Sequence, residues 1–177
     1  MHFVSAPIPV ALHVIAATIY CVLGAFQFSP GLRRNHLRWH RIAGRLLVIL
    51  GVVAALAGIW MAMTYAIVPA DGPLLHAFRL LAGSGMAVSL VLAYVAIRRR
   101  NVPQHRAWMA RAYALGQGAG TQALTQGPLL LIFGPPDQMS RALLMGGAWV
   151  LNLAIAEWLI RRKPGPATGQ TPALATA

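Results

Sequence analysis

Long runs without a single charged side chain constrain this chain more than any other feature. No Lys, Arg, Asp or Glu occurs between Met1 and Leu32. Leu46 to Ala70, Leu80 to Ile97 and Ala112 to Pro136 are equally uncharged, and Ala142 to Ile160 is interrupted only by Glu157. A bilayer core is crossed by about 20 mostly apolar residues in helical conformation. Five such runs in 177 residues, 58% of them hydrophobic and 10% charged, predict an all-α integral membrane bundle of about five transmembrane helices. They leave little chain for a soluble domain. The spans are expected near residues 6–28, 39–68, 74–97, 104–134 and 140–160, one transmembrane domain over 1–163, with a disordered tail over 164–177 rich in Pro, Ala, Thr and Gly. The first run has no basic n-region and is longer than a signal-peptide core, so it reads as a retained helix.

The net charge of +12 would suit a nucleic-acid binder, but the placement of the charges excludes that reading. Arg33, Arg34, Arg38, Arg41 and Arg45 lie in or beside the first connection. Arg98, Arg99, Arg100, Arg106 and Arg111 lie in or beside the third, and Arg161, Arg162 and Lys163 follow the fifth helix. Five crossings put all of these on one side, with only Arg79, Arg141, Asp71 and Asp137 on the other. The positive-inside bias then predicts an N-terminus outside and a C-terminus in the cytoplasm of a cell (inner) membrane. The expected partner of the arginines is the anionic headgroup layer at the inner face, not nucleic acid.

His13, Ala17, Tyr20, Gly24 and Gln27 recur at helical spacing and form a polar, small stripe that should face other helices. Gly51, Ala55 and Gly58 give the second helix a small-residue seam. The fourth is unusual: Gln117, Thr121, Gln122, Thr125 and Gln126 are interleaved with Gly116, Gly118 and Gly120. It is expected at the centre, either hydrogen-bonding to its neighbours or lining a cavity for a quinone or polar solute. Cys21 reads as a small packing residue, and Glu157 as a structural ion pair with Arg161 four residues on. Arg79, one turn from His76, snorkels outward or meets an anionic group.

Four of the six histidines fall at positions that topology relates. His13 and His76 belong to the outer part of helices 1 and 3, and His40 and His105 to the inner ends of helices 2 and 4. The separation from His13 to His40 is close to that from His76 to His105. Arg34-Asn35 precedes His40-Arg41 as Arg100-Asn101 precedes His105-Arg106. Two tandem hairpins followed by one more helix account for this pattern. Paired imidazoles on facing helices are the donor set of a haem b iron. His13 with His76 and His40 with His105 are the candidate haem ligands, and Arg41, Arg45, Arg106 and Arg111 the candidate propionate partners. Two other readings stay open. The same histidines can be interfacial residues with no ligand, in a small permease-like transporter with a path past Gln117, Thr121, Gln122 and Glu157. They can equally belong to an accessory subunit of a larger membrane complex.

Gly24-Ala25-Phe26-Gln27-Phe28, His40-Arg41-Ile42-Ala43-Gly44-Arg45 and the stretch His105-Arg106-Ala107-Trp108-Met109-Ala110-Arg111-Ala112-Tyr113-Ala114-Leu115 resemble a bacterial membrane family known as domain of unknown function 2306. Asn152-Leu153 with Ala156-Glu157 resembles its last helix. The resemblance spans about residues 9 to 162 and implies a multi-pass inner-membrane protein without an assigned activity. It carries His13, His40 and His105 at motif positions. The alternation of histidines along the helices is also similar, in architecture only, to transmembrane di-haem cytochromes of the b type.

Overall fold

A computed structural model describes residues 7–66 and 70–162. The expected tail over 164–177, the end of the second predicted span and the residues at the start of the first lie outside those described. The described chain is helical: α1 (Pro7–Gln27), α2 (Pro30–Asn35), α3 (Leu37–Thr64), α4 (Gly72–Arg98), α5 (Val102–Gly116), α6 (Gly118–Phe133) and α7 (Gln138–Arg161). α1, α3, α4 and α7 are each long and apolar enough to cross a membrane. Their bounds fall within a few residues of expectation, because uncharged runs and helix stops set both.

The helices are held by local rules. Ser29 accepts a hydrogen bond from Leu32 N–H and Pro30 opens α2, so a short helix interrupts the first connection. Asn101 caps α5 through Gln104 N–H at 3.1 Å. Asp137 caps α7, accepting from Met139 and Ser140 N–H at 2.9 and 3.1 Å. The Ser140 hydroxyl, together with these amides, holds its exposed carboxyl below the usual carboxylate range.

α1, α3, α4 and α5 form a ring in which neighbours pack together and the diagonals α1/α4 and α3/α5 face each other across the core. α7 closes the side against α4, α5 and α6. The core is Tyr20, Leu47, Ala55, Met86, Leu90 and Ala112. Glycines admit the rings: a Cβ on Gly51 would lie 2.8 Å from the Tyr20 ring, and one on Gly116 also 2.8 Å from its other edge. Outward, Leu81, Leu124, Leu131 and Ile132 are among many large apolar side chains left exposed. That is the surface of a protein whose solvent is lipid.

One expected element is different. The single span over 104–134 is two helices, broken at Gln117 between Gly116 and Gly118. Both flanking glycines stand where a side chain cannot: Tyr20 occupies the space beside Gly116, and the Trp149 indole the space beside Gly118. Three glycines in five residues also weaken the helix at that point by about 1 kcal/mol each relative to Ala.

Candidate functional site

Two polar regions remain inside the bundle. The first is at the basic end, where the arginine-rich connections lie. His40 and His105 are each the fourth residue of their helices, α3 and α5, and those helices are diagonal partners. His105 Nδ1 is 2.9 Å from the carbonyl oxygen of Ala93 on α4. A carbonyl can only accept, so Nδ1 carries the proton, and Nε2 of the neutral ring keeps its lone pair. His40 lies within electrostatic reach of His105, Arg33 and Arg41. Its Nδ1 is buried with no hydrogen-bond partner. Gln27, which comes up against Gly44 one turn along α3 from His40, has a buried Nε2 that is also unpartnered. Two orphaned polar atoms at one level are unusual in a native interior.

The second region is a cavity of about 400 Å³ in the opposite half of the bundle, within the usual range of small-molecule sites. His13 and His76 both line it, but they differ in level. His13 bonds through Nδ1 to Ala54 O at 2.8 Å and sits against Gly58. Gly83 meets the same stretch of α3, at Ile59 and Ala55, so His13 is nearly level with Gly83. His76 is seven residues earlier on α4, on the order of 10 Å higher at ~1.5 Å per residue. It stands at the cavity mouth with Asp71 and Arg79.

Asp71 itself was visible in the sequence only as a turn residue. It is buried, and its two oxygens accept from Arg79 Nη1 at 2.8 Å and Arg141 Nε at 2.7 Å. Burial opposes its ionisation, yet hydrogen bonds and charge from both arginines outweigh burial and hold the carboxyl below the usual range. The anionic partner expected for Arg79 is therefore this aspartate.

Glu157 differs from expectation. Its main partner is Arg111 on α5, which grips it through two nitrogens, Nη2 at 3.1 Å, while Arg161 stands 3.5 Å away. Arg111 also lies 4.5 Å above the Trp108 ring. It is thus committed to tying α5 to α7, whereas Arg41, Arg45 and Arg106 are exposed. Part of the polar stripe bonds between helices, Thr121 to Asn152 at 2.9 Å and Gln122 to Met145 O at 3.1 Å, while Gln117 donates to the Tyr113 hydroxyl one turn back and Thr125 to Thr121 O within α6. Cys21 packs with its thiol 3.4 Å from Gly116 O. Among the described residues no three His, Cys, Asp or Glu side chains converge as a protein-only metal cage. An axial pair of imidazoles does not require one.

The family pattern described as "Predicted membrane protein (DUF2306)" matches residues 10–160. The chain belongs to this family. No curated protein and no solved structure matches it. Family membership thus establishes a predicted membrane protein, in agreement with four membrane-length helices, and brings no activity with it.

Proposed function

We propose that this DUF2306 protein is a multi-pass inner-membrane electron carrier that holds haem b at its basic, cytoplasmic end between His40 and His105. The observation that carries the proposal is the state of those two rings. His105 is oriented by the Ala93 carbonyl with Nε2 left for a metal, the outer-shell arrangement common to metal-binding histidines. His40 presents a buried nitrogen without a partner. Both stand in the first turn of diagonal helices, with His40 within electrostatic reach of His105. Haem, when bound, supplies a one-electron couple within the membrane.

The chain's own residues orient the two imidazoles, and the apolar core of Tyr20, Leu47, Met86 and Leu90 excludes water on the side facing the bilayer centre. Arg41, Arg45 and Arg106 supply cations for the propionates. Arg111 does not, being held by Glu157. His13 and His76 are not assigned to this group, because their offset in level does not suit one iron. The transport reading has less support: of Gln117, Thr121, Gln122 and Glu157, only Gln122 reaches the cavity.

The test is the absorption spectrum of protein expressed with haem supplied and purified in detergent, first oxidised and then reduced with dithionite. A Soret band and a sharp reduced α band are expected. A featureless spectrum would refute the reading.

A further inference from the structure

The cavity in the opposite half is unused by the haem reading and independent of it. Side chains of α1, α3, α4, α5, α6 and α7 wall it, but the wall is incomplete. α6 packs along α7, touches the end of α5, and has no packed interface with α1. Ala119 of α6 lines the cavity and is nevertheless exposed. The gap between α1 and α6 therefore opens sideways, where the hydrocarbon of the bilayer lies, in addition to the mouth at His76. A lipid-soluble molecule can enter by this route.

The chemistry at the floor of the cavity says what such a molecule carries. Tyr20 is 1% exposed, its ring fixed between Gly51 and Gly116, and its hydroxyl has no hydrogen-bond partner. Beside it the broken helix restarts. The first intrahelical bond of α6 runs from Thr121 N–H to Gln117 O at 3.1 Å, and Gln117 gives no side-chain cap. The start of α6, where Ala119 lines the cavity, is thus the positive end of a 16-residue helix. The Tyr20 hydroxyl is a donor with nothing to donate to, so the ligand must bring an acceptor oxygen. Higher up the wall, His13 offers the reverse. Its Nδ1–H is used by Ala54 O, leaving Nε2 as an acceptor for a hydroxyl proton. Met86, Met145 and Trp149 give the wall an apolar stretch, while Gln122 and the His76, Asp71 and Arg79 group also line the cavity.

We infer that this cavity is a binding site for a quinone or quinol headgroup, entered laterally between α1 and α6. One ring oxygen is held by the Tyr20 hydroxyl beside the start of α6, and the other lies toward His13. An apolar ring with an oxygen at each end matches a donor at the floor, an acceptor above it and Met86, Met145 and Trp149 between, and its prenyl tail leaves through the gap.

Binding of decylubiquinone to the protein in phospholipid nanodiscs tests this through quenching of tryptophan fluorescence, since Trp149 lines the cavity. Saturable quenching is expected above the linear loss caused by partitioning into lipid. Tyr20→Phe, which keeps the ring and removes the hydroxyl, is expected to weaken binding about tenfold. Ala17→Leu, which fills the cavity without touching a donor, is expected to abolish the saturable component, so the inference stays testable should either variant fold poorly. Quenching that never saturates, unchanged binding in both variants, or a tightly held phospholipid that quinone does not displace would overturn it. Haem absorbance is read on the same samples. Saturable binding without haem leaves this inference standing and removes the other.

Discussion

The two polar regions are built from the same residue type on the same pair of hairpins, yet they differ in register. At the basic end, His40 and His105 are both the fourth residue of a helix. In the opposite half, His13 faces Gly58 well inside the bundle, whereas His76 stands near the start of α4, at the cavity mouth. The cause is local. In the first hairpin Ser29 and Pro30 start the short α2, which takes up chain that α4 uses to lengthen itself. Nearly equal separations in sequence therefore produce one pair in the first turns of two diagonal helices and one pair offset along the bundle. A pair within electrostatic reach of each other suits a shared metal, whereas an offset pair frames a cavity.

The two regions also differ in packing, and substitutions of equal size should expose that difference. The largest effect is expected from Gly51→Leu, whose side chain would enter the space held by Tyr20 and Leu90. Overpacking of this kind costs about 3 kcal/mol, visible as a large fall in the thermal midpoint in detergent. A small change would show that the filled layer between the two regions is looser than described.

Next is Arg111→Ala. Removing one partner of a buried pair costs about 3–5 kcal/mol, but both side chains here are more than a quarter exposed. A loss of about 2 kcal/mol is expected after that discount, with α7 released from α5. The same substitution at Arg161, the more distant and exposed partner, should cost about 0.5 kcal/mol or less. Equal effects would contradict the assignment of Arg111 as the main partner.

Asp71→Asn should cost about 1 kcal/mol at neutral pH, because both arginines are over a third exposed. Its pH dependence is more telling. The folded carboxyl titrates below the ordinary aspartate value of about 3.9. The stability it confers is therefore fully present above pH ~4 and is lost as pH falls through the lower folded value. The gap between wild type and Asp71→Asn should be constant near neutrality and close in acid. A gap that widens in acid would reverse the sign.

The smallest effect is expected for Ala17→Leu, whose extra atoms enter the cavity. Filling a void offsets the crowding that the same atoms cause in a packed layer, so thermal scans should place this variant within about 0.5 kcal/mol of wild type. A loss as large as that of Gly51→Leu would erase the difference in packing between the two regions.

Much of this arrangement is legible in the sequence. Uncharged runs locate α1, α3, α4 and α7, because crossing a bilayer demands length and the absence of charge and little else. The histidine positions are legible as well. Their levels are not, since these depend on a short helix whose start, Ser29-Pro30-Gly31, reads only as a helix stop. The break at Gln117 is visible as glycines but not as a break. What decides it is the pair of rings, Tyr20 and Trp149, arriving from far along the chain. Asp71 with Arg141 and Glu157 with Arg111 are likewise pairings across 70 and 46 residues, whereas the nearer choice, Arg161, satisfies the sequence pattern and is only the secondary partner.

Haem content per chain, from the reduced pyridine spectrum, tests the register comparison most directly when it is measured in four single variants. A haem shared by His40 and His105 predicts one haem in the wild type, lost in His40→Ala and His105→Ala and kept in His13→Ala and His76→Ala. Haem that survives His105→Ala, or disappears with His76→Ala, would contradict it.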